Sequence, residues 1–423
     1  MELNEKLTLA RRWIDEGDYV RVISHHDVDG ISAAAIILNF LKKKGKKFHC
    51  SLLKNVNSDI TAGIGVSELS IVADMGSSCI GDIEKLNGRT IILDHHLPER
   101  ESRSERVLEI NSHLHNINGS QEACASTMAY MFANDPALIS FLISGALGDR
   151  QGTAFVGLNN ELVHESIDNK IIKREFGLTM DCYDRTNLQR MIETSSTPFF
   201  KNMSGRSAKK FVETVGASKG ERVNSVLMAQ LIKQGCRDDV VEDLLGYKYL
   251  LPFMNMDSQE LLSLLNVCDG LDMAEKGLAM ALGNRKSYEE IKTKRVEYYT
   301  KALKGLLKLE EEGVSDKGHI QWFYNSDLGM SGFYCGIGMR YLFDQEKPAL
   351  GLTKVKDHTR VSSRGTKYLI SRGLNLAEAL KKAARESGGD GGGHDIAAGA
   401  SIPSDREEFF LNKIEEIVGA QLR

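Results

Sequence analysis

Two short polar segments of this sequence combine carboxylates with imidazoles at spacings that suit metal binding. The first is Ser24-His25-His26-Asp27-Val28-Asp29-Gly30, and the second is Asp94-His95-His96. In an extended segment, alternate side chains point to the same side, so His25, Asp27 and Asp29 could converge on one point. Carboxylate and imidazole ligands without thiolates suit Mn²⁺, with Mg²⁺ as the alternative. The spacing predicts a divalent-metal site, although an aspartate before a helix also serves as an N-terminal cap.

These polar segments directly follow apolar runs that predict buried parallel strands. Residues 19–23 precede the first segment and residues 90–93 precede the second. Two further apolar runs end at Asp74 and at Asp149, the latter run being residues 137–147. Alternating strand and helix patterns predict a doubly wound parallel sheet, whose carboxyl edge collects ligands. The side chains expected to meet at this edge are His25, Asp27, Asp29, Asp74, Asp94, His95, His96 and Asp149.

So many carboxylates in one place repel one another unless cations neutralise them. The candidate ligands also exceed what a single ion needs. Two ions about 3.5–4 Å apart, sharing one carboxylate, are the arrangement that suits phosphoester hydrolysis. The pattern as a whole therefore predicts a two-metal site, whereas any one of these aspartates taken alone would more simply be a helix cap.

The same residues resemble the motifs of the DHH phosphoesterase superfamily. The segment from His25 to Gly30 resembles its first motif, Asp74 the second, Asp94-His95-His96 the third and Asp149 the fourth. The C-terminal run Gly-Gly-Gly-His-Asp-Ile-Ala-Ala-Gly-Ala, residues 391–400, resembles the glycine-rich signature of the associated DHHA1 domain. Within the superfamily, the arrangement is most similar to archaeal RecJ-like single-strand exonucleases, which include a nuclease associated with the GINS replication complex.

The resemblance implies a metal role for six residues, with Mn²⁺ as the expected ion and Mg²⁺ as the alternative. They are His25, Asp27, Asp29, Asp74, His95 and Asp149. Asp74 would bridge the two ions, and Asp27 and Asp29 would bind one ion each. His25 would add to the first site, and the remaining two residues would complete the second.

The resemblance also implies which side chains act on the substrate. His96 would contact the scissile phosphate, and Asp94 would orient an imidazole in the required tautomer. Together with Asp74, these are the expected catalytic residues. None of the motif positions is degenerate, which favours an active enzyme over the inactive relatives that serve as helicase subunits.

A second group of residues near the C-terminus is expected to bind the substrate. The glycine-rich segment 388–393, which we expect to be a loop, leaves little side-chain bulk to block a phosphate or sugar, and Arg360 and Arg364 precede it on or just after a predicted strand. Arginine suits the task because its planar guanidinium pairs two phosphate oxygens. The expected substrate-binding set is His96, Arg360, Arg364, Gly391, Gly392, Gly393 and His394. The resemblance implies that this domain faces the metal site across a cleft.

Length and composition indicate an ordinary globular chain of several domains. The 423 residues are 42% hydrophobic, with a formal net charge of −4, which is enough to bury more than one core. We expect a doubly wound α/β domain over residues 1–152 and a helical insertion and connector over residues 153–313. A smaller α/β domain with a mixed sheet is expected over residues 314–423.

The cysteines and the apolar runs exclude several classes of protein. Seven cysteines without a Cys-x-x-Cys pair argue against a disulfide framework and a thiolate zinc site. No apolar run approaches the roughly 18 residues of a membrane span, and the first residues read as an amphipathic helix rather than a signal peptide. We therefore expect a cytoplasmic protein without a membrane partner.

The ligand pattern and the family resemblance together imply a metal-dependent exonuclease that hydrolyses single-stranded DNA, with RNA as a second candidate substrate, in replication or repair. Two alternatives stay open at this level. One is a phosphodiesterase for short oligonucleotides or small molecules. The other is a replication-complex subunit whose main task is to bind the GINS complex.

Overall fold

A computed structural model of the chain reveals two compact units. It describes residues 1–54, 58–215, 221–327 and 329–422. The first unit comprises Met1–Thr179 and Gly246–Arg295, and the second comprises Met180–Leu245 and Val296–Arg423. The central segment, residues 153–313, contributes to both units.

The strands are short, and most follow the β-prone runs of the sequence. In chain order they are β1 (Tyr19–His25), β2 (Lys47–Leu53), β3 (Leu69–Ala73), β4 (Arg89–Asp94), β5 (Val107–Asn111), β6 (Lys173–Leu178), β7 (Asp181–Cys182), β8 (Ser195–Thr197), β9 (Leu245–Leu250), β10 (Ser315–Asp316), β11 (Gln321–Tyr324), β12 (Ala349–Val355), β13 (His358–Arg364), β14 (Asp390–Gly393) and β15 (Ala397–Pro403).

The helices outnumber the strands. In chain order they are α1 (Leu3–Glu16), α2 (Val28–Lys43), α3 (Ser58–Ile64), α4 (Ile80–Ile83), α5 (Ala125–Ala133), α6 (Ile139–Gly148), α7 (Gly157–Asp168), α8 (Leu188–Glu193), α9 (Arg206–Val215), α10 (Glu221–Lys233), α11 (Asp238–Glu242), α12 (Ser258–Gly270), α13 (Ala274–Ala281), α14 (Arg285–Glu312), α15 (Ser331–Tyr341), α16 (Lys367–Ser371), α17 (Leu376–Glu386) and α18 (Glu407–Gln421). Within the described residues, no helix combines the length and apolar character that a membrane crossing requires.

The first unit is built on a five-stranded sheet with the order β2-β1-β3-β4-β5. All four neighbouring pairs are parallel, which confirms the predicted parallel sheet. Its inner strands β3 and β4 are buried, mostly apolar runs because both of their faces are covered. Helix α2 is almost wholly buried, since it lies against the sheet and beneath α5 and α6. This packing holds the strand ends, and the residues that follow them, in a fixed arrangement.

One expectation about this sheet is wrong. The apolar run at residues 137–147 is not a strand but mostly helix α6, so Asp149 follows a helix. Every residue from Ile139 to Leu147 is buried. A helix surrounded on all sides and a buried strand give the same unbroken apolar run, so periodicity could not separate them.

The second unit is built on a six-stranded mixed sheet with the order β10-β11-β12-β13-β15-β14. Strands β11 and β12 run parallel and the other neighbouring pairs are antiparallel, which confirms the predicted mixed sheet. The glycine-rich segment is not a loop, because Asp390–Gly393 forms the edge strand β14. A Cβ at Gly391 would lie 3.0 Å from the Leu380 carbonyl oxygen of α17. Glycine therefore lets the helix pack closely onto this strand.

Candidate metal centre

The parallel register of the first sheet brings three polar residues to one level. Ala73 of β3 pairs with Ser24 of β1 and with Leu93 of β4. The residues that follow these three in sequence are His25, Asp74 and Asp94. Side chains at the carboxyl ends of parallel strands therefore meet here, as expected for ligands of a doubly wound sheet.

His25, Asp27 and Asp74 form one group of potential ligands. The His25 Nδ1 atom lies 3.0 Å from Asp27 Oδ2 and 3.5 Å from Asp74 Oδ2. The Gly30 amide donates to Asp27 Oδ1 at 2.9 Å, so Asp27 also caps α2. A Cβ at Gly30 would lie 2.2 Å from the His25 carbonyl oxygen. Only glycine allows the chain to turn this closely from the strand into the helix.

His95, Asp29 and Asp149 form a second group. The His95 Nε2 atom lies 3.2 Å from Asp149 Oδ2 and 3.9 Å from Asp29 Oδ2. His95 Nδ1 is 2.6 Å from the Gly119 carbonyl oxygen. Since a carbonyl can only accept, Nδ1 carries a proton there. When His95 is neutral, its Nε2 lone pair is therefore directed at the carboxylates.

Asp74 lies between the two groups. Its Oδ2 atom faces His25, and its Oδ1 atom is 3.4 Å from His95 Nε2. The residue is 3% exposed and has a φ of 59°, a left-handed conformation that aspartate tolerates better than most residues. One carboxylate thus presents an oxygen to each group.

Three buried atoms in these groups have no hydrogen-bond partner among the described residues. They are Asp74 Oδ2, His95 Nε2 and Asp149 Oδ2. Buried polar atoms normally have partners, and an orphaned one calls for an explanation such as an ion. All three are ligand types that Mn²⁺ and Mg²⁺ accept, imidazole favouring the former. The residues present therefore fit divalent cations.

His96 and Asp94 are arranged differently from these groups. His96 Nδ1 is 2.8 Å from Asp94 Oδ1, while the ring is 56% exposed. Asp94 is buried and also accepts the amides of Ser77 and His95 at 3.0 and 2.8 Å. Asp94 therefore holds an imidazole and a turn in place. His96 Nδ1 also lies 3.9 Å from Asp74 Oδ1, so this ring can reach the ligand cluster as well.

The imidazoles and carboxylates of the cluster shift one another's pKa. Burial lowers the pKa of His25, but the adjacent Asp27 and Asp74 carboxylates outweigh it and raise the pKa to about 10. Burial likewise lowers the pKa of His95, but the Asp74 carboxylate and the neighbouring Asp29 and Asp149 raise it to about 11. Burial raises the pKa of Asp74 to about 7 and that of Asp149 to about 9, with neighbouring carboxylates adding to both shifts. Protons on these groups would balance part of the carboxylate charge whenever no cation is bound.

Other residues support the cluster although they belong to no recognisable sequence motif. The amides of Ala125 and Ser126, at the start of α5, donate to Asp29 at 2.7 and 3.0 Å. The Gln151 side chain donates to the Gly119 carbonyl oxygen at 3.0 Å, beside the His95 ring. Backbone groups leave no signal in a sequence. Gln151 had one weak signal, its place two residues after a candidate ligand.

The predicted substrate-binding residues other than His96 lie in the second unit. Arg360 and Arg364 are four residues apart on β13 and therefore point to one face of the sheet. Arg360 is exposed, and a Cβ added at the exposed Gly392 would meet nothing within 4 Å. His394 lies in the turn between β14 and β15, with its amide donating to Ala397 at 2.8 Å. His394 is also exposed, whereas Arg364 is half-buried and its guanidinium donates to the Ser363 carbonyl oxygen at 2.9 Å.

Two relatives resemble this chain over very different lengths. An uncharacterized protein of Methanocaldococcus jannaschii is 29% identical over 438 residues, covering 99% of this chain and 98% of the relative. A Bacillus subtilis prophage-derived protein, provisionally named a single-strand DNA-specific exonuclease, is 30% identical over 120 residues. That match covers 25% of this chain and 19% of the relative.

Two solved structures share the fold along nearly the whole chain. The exonuclease RecJ bound to manganese has a TM-score of 0.64 at 17% identity, with 99% of this chain and 94% of that chain covered. CDC45 from Entamoeba histolytica has a TM-score of 0.71 at 10% identity, with 99% of both chains covered. At these identities the likeness concerns the fold alone.

Family models match both ends of the chain. The model described as the DHH family N-terminal domain matches residues 19–147, which hold the strands and most of the ligand cluster. The model of the DHHA1 domain matches residues 336–420, which hold the glycine-rich strand. The chain is therefore a DHH-family phosphoesterase that combines an N-terminal DHH domain with a C-terminal DHHA1 domain.

Proposed function

We propose that this protein is a metal-dependent exonuclease that hydrolyses the phosphodiester bonds of single-stranded DNA, with RNA as a second substrate. The observation that carries the proposal is the pair of ligand groups joined by the Asp74 carboxylate, whose distances suit two ions. Bound Mn²⁺, or Mg²⁺ as the alternative, would polarise the phosphoryl group and stabilise the charge that develops on its oxygens.

The protein would hold one ion with each group. The first would be bound by His25, Asp27 and Asp74, and the second by Asp29, Asp74, His95 and Asp149. His95 is suited to this role because its contact with the Gly119 carbonyl oxygen fixes both the ring and its tautomer. The short contacts from the α5 amides fix Asp29 in the same way.

His96 would contact the scissile phosphate. Asp94 occupies its Nδ1 atom, so Nε2 is left on the exposed side of the ring. The hydrogen bond with Asp94 raises the pKa of His96, which favours the imidazolium form that attracts an anionic oxygen. Asp94 would act through His96 as a positioning residue.

The DHHA1 domain would bind phosphates of the substrate strand. Arg360 and Arg364 would supply guanidinium donors, and the residues 391–393 and His394 would supply a largely exposed strand edge and turn. Guanidinium groups suit a phosphate-rich strand. This part of the proposal concerns the second unit alone.

We also infer a cytoplasmic role in DNA replication or repair, with association with the GINS complex as the partner hypothesis. No disulfide joins the cysteines among the described residues, which is usual in a reducing compartment. The GINS hypothesis rests on the motif resemblance. A pull-down with recombinant GINS, with bovine serum albumin as a control bait, tests it.

The experiment that tests the catalytic proposal uses purified protein, Mn²⁺ and oligonucleotides of equal sequence labelled at either end. We expect release of mononucleotides from single strands, little cleavage of duplex, and an Asp74→Ala variant slower by about a hundredfold or more. Asp82→Ala, at an exposed aspartate of the same unit, is the matched control. Absence of hydrolysis of DNA and RNA, or an Asp74→Ala variant as active as the parent, contradicts the proposal. Cleavage confined to the shortest oligonucleotides would instead favour a small-molecule or short-oligonucleotide phosphodiesterase.

A further inference from the structure

The first unit carries an exposed aromatic cluster outside the metal centre. Strands β6 and β9 form a separate two-stranded sheet, and its residues Arg174, Phe176 and Tyr247 are called the aromatic ribbon below. The Phe176 and Tyr247 rings meet edge to face, with centroids 5.3 Å apart. The Arg174 guanidinium lies 4.3 Å from the Tyr247 centroid. The three side chains thus form one continuous surface.

The exposure of this surface sets it apart from an ordinary core. Phe176 is 65% exposed, although it is large and apolar. Arg174, two residues away on β6, is exposed on the same face, whereas Lys173 and Glu175 alternate to the opposite face. A solvent-facing aromatic ring with a guanidinium on the same face is the combination that suits a base and its phosphate.

The ribbon is anchored to the loop that leaves the metal centre. The Tyr247 amide donates to Thr153 Oγ1 at 3.2 Å, and the Tyr249 hydroxyl donates to the Thr153 carbonyl oxygen at 2.8 Å. Thr153 follows the ligand Asp149 by four residues, a chain distance of at most about 14 Å. Gln151, between them, contacts the carbonyl oxygen that orients His95. The same loop therefore connects the ribbon and the metal ligands.

We propose that the aromatic ribbon is a stacking site for a base of single-stranded nucleic acid, a few nucleotides from the bond that is cleaved. Phe176 would stack on the base, since every base has a π face and stacking tolerates any sequence. The Arg174 guanidinium, 4.3 Å from the Tyr247 centroid, would place a positive charge beside the phosphate of the stacked nucleotide. The inference takes its substrate class from the proposed function and adds a separate binding site to it.

Binding without hydrolysis tests the ribbon directly. Oligonucleotides carrying 2-aminopurine at successive positions are titrated with the full chain in EDTA, so that a metal-dependent enzyme leaves them intact. We expect fluorescence quenching at one or two adjacent positions. Phe176→Ala should remove that quenching and weaken binding about tenfold, the value of one stacking contact. Phe176→Trp should restore both, which a purely structural role would not explain.

A matched control separates this site from general damage. Tyr19 is 45% exposed and begins β1, at the sheet edge opposite the cluster, so Tyr19→Ala should change neither quenching nor affinity. Equal quenching and equal affinity in Phe176→Ala and the parent overturn the inference. With Mn²⁺, Phe176→Ala should raise KM for a long oligonucleotide and leave turnover of bis-p-nitrophenyl phosphate unchanged. A parent protein that binds and quenches but never hydrolyses would refute the proposed nuclease activity and leave the stacking site standing.

Discussion

Asp27 uses its two carboxylate oxygens for two different purposes. Oδ1 accepts the Gly30 amide and caps α2, while Oδ2 faces His25 in the ligand cluster. The capping and metal-binding interpretations of an aspartate before a helix are therefore not exclusive. The pKa of this carboxyl is held well below its usual range: burial would raise it, but the contacts with His25 and with Gly30 outweigh burial. Asp27 is thus ionised and ready to bind a cation at any ordinary pH.

Asp94 provides the first residue-scale prediction. It accepts three backbone amides and contacts the His96 ring, and it belongs to none of the potential ligand groups. We expect Asp94→Asn to lower kcat about 10–100-fold, because its carboxylate orients the imidazole that would act on the substrate. Metal affinity, measured by isothermal titration calorimetry, should change much less than kcat. A variant that loses metal affinity and leaves kcat intact would assign Asp94 to the ligands.

The titration of the cluster provides the second residue-scale prediction. In the metal-free protein, His25 has a pKa raised to about 10 and His95 one raised to about 11. Both rings therefore hold protons near neutral pH, and a cation must displace them. Mn²⁺ affinity should rise as pH rises from about 6 to about 8, with proton release detected by calorimetry in buffers of different ionisation enthalpy. Affinity that is constant over this range, without proton release, would contradict the protonated cluster.

At the scale of elements, Asp29 joins two helices as well as offering an oxygen to the cluster. Its carboxylate, near the start of α2, accepts the first two amides of α5. We expect Asp29→Ala to lower the free energy of unfolding in EDTA by about 1–3 kcal/mol, because two buried amides lose their acceptor. Urea denaturation measures the change.

Asp149 offers the matched comparison for that measurement. It lies in the same ligand group, but burial, followed by the neighbouring Asp29 carboxylate, raises its pKa to about 9. Asp149→Ala should therefore leave the metal-free stability within about 0.5 kcal/mol of the parent, while both variants lose Mn²⁺ affinity. Equal destabilisation by the two substitutions would show that Asp29 has no separate structural role.

The elements also show where sequence reasoning succeeds and where it stops. Strands β3 and β4 are short apolar runs that end in polar residues, so their positions can be predicted from the sequence. The apolar run that forms helix α6 is predicted as a strand, because total burial removes the polar positions whose spacing distinguishes a helix. The glycine-rich strand β14 was expected to be a loop, since glycine normally weakens strands. Its conformation depends on pairing with β15 and on packing beneath α17, which are tertiary contacts.

At the scale of the whole molecule, all the candidate metal ligands lie in the first unit, although the family signatures lie in both. The motifs at the two ends of the chain were recognisable from the sequence. The division of the chain into units could not be predicted in this way, because residues 180–245 belong to the second unit whereas the following Gly246–Arg295 belong to the first. Such an interruption arises from contacts between residues far apart in sequence, which local patterns do not encode.

This division predicts the effect of metal removal. A ligand that binds only the folded first unit stabilises that unit by about 2.7 kcal/mol when present at about a hundred times its dissociation constant. Mn²⁺ should therefore slow hydrogen exchange near the ends of β1, β3 and β4 and at the start of α2. Strands β12 and β13 of the second unit should exchange at the same rate with and without the metal. Protection spread equally over both units would contradict a metal centre confined to the first.

The placement of Asp149 after a helix constrains how this chain can change in length during evolution. Each residue of an α-helix advances the chain by about 1.5 Å and turns it by about 100°. One inserted or deleted residue within α6 would therefore rotate this carboxylate away from His95. The connections between strands can absorb such a change, because the strand registers position the other ligands. Among active relatives, length variation should therefore be found in those connections. The number of residues from the part of α6 that packs against α2 to the position of Asp149 should stay constant.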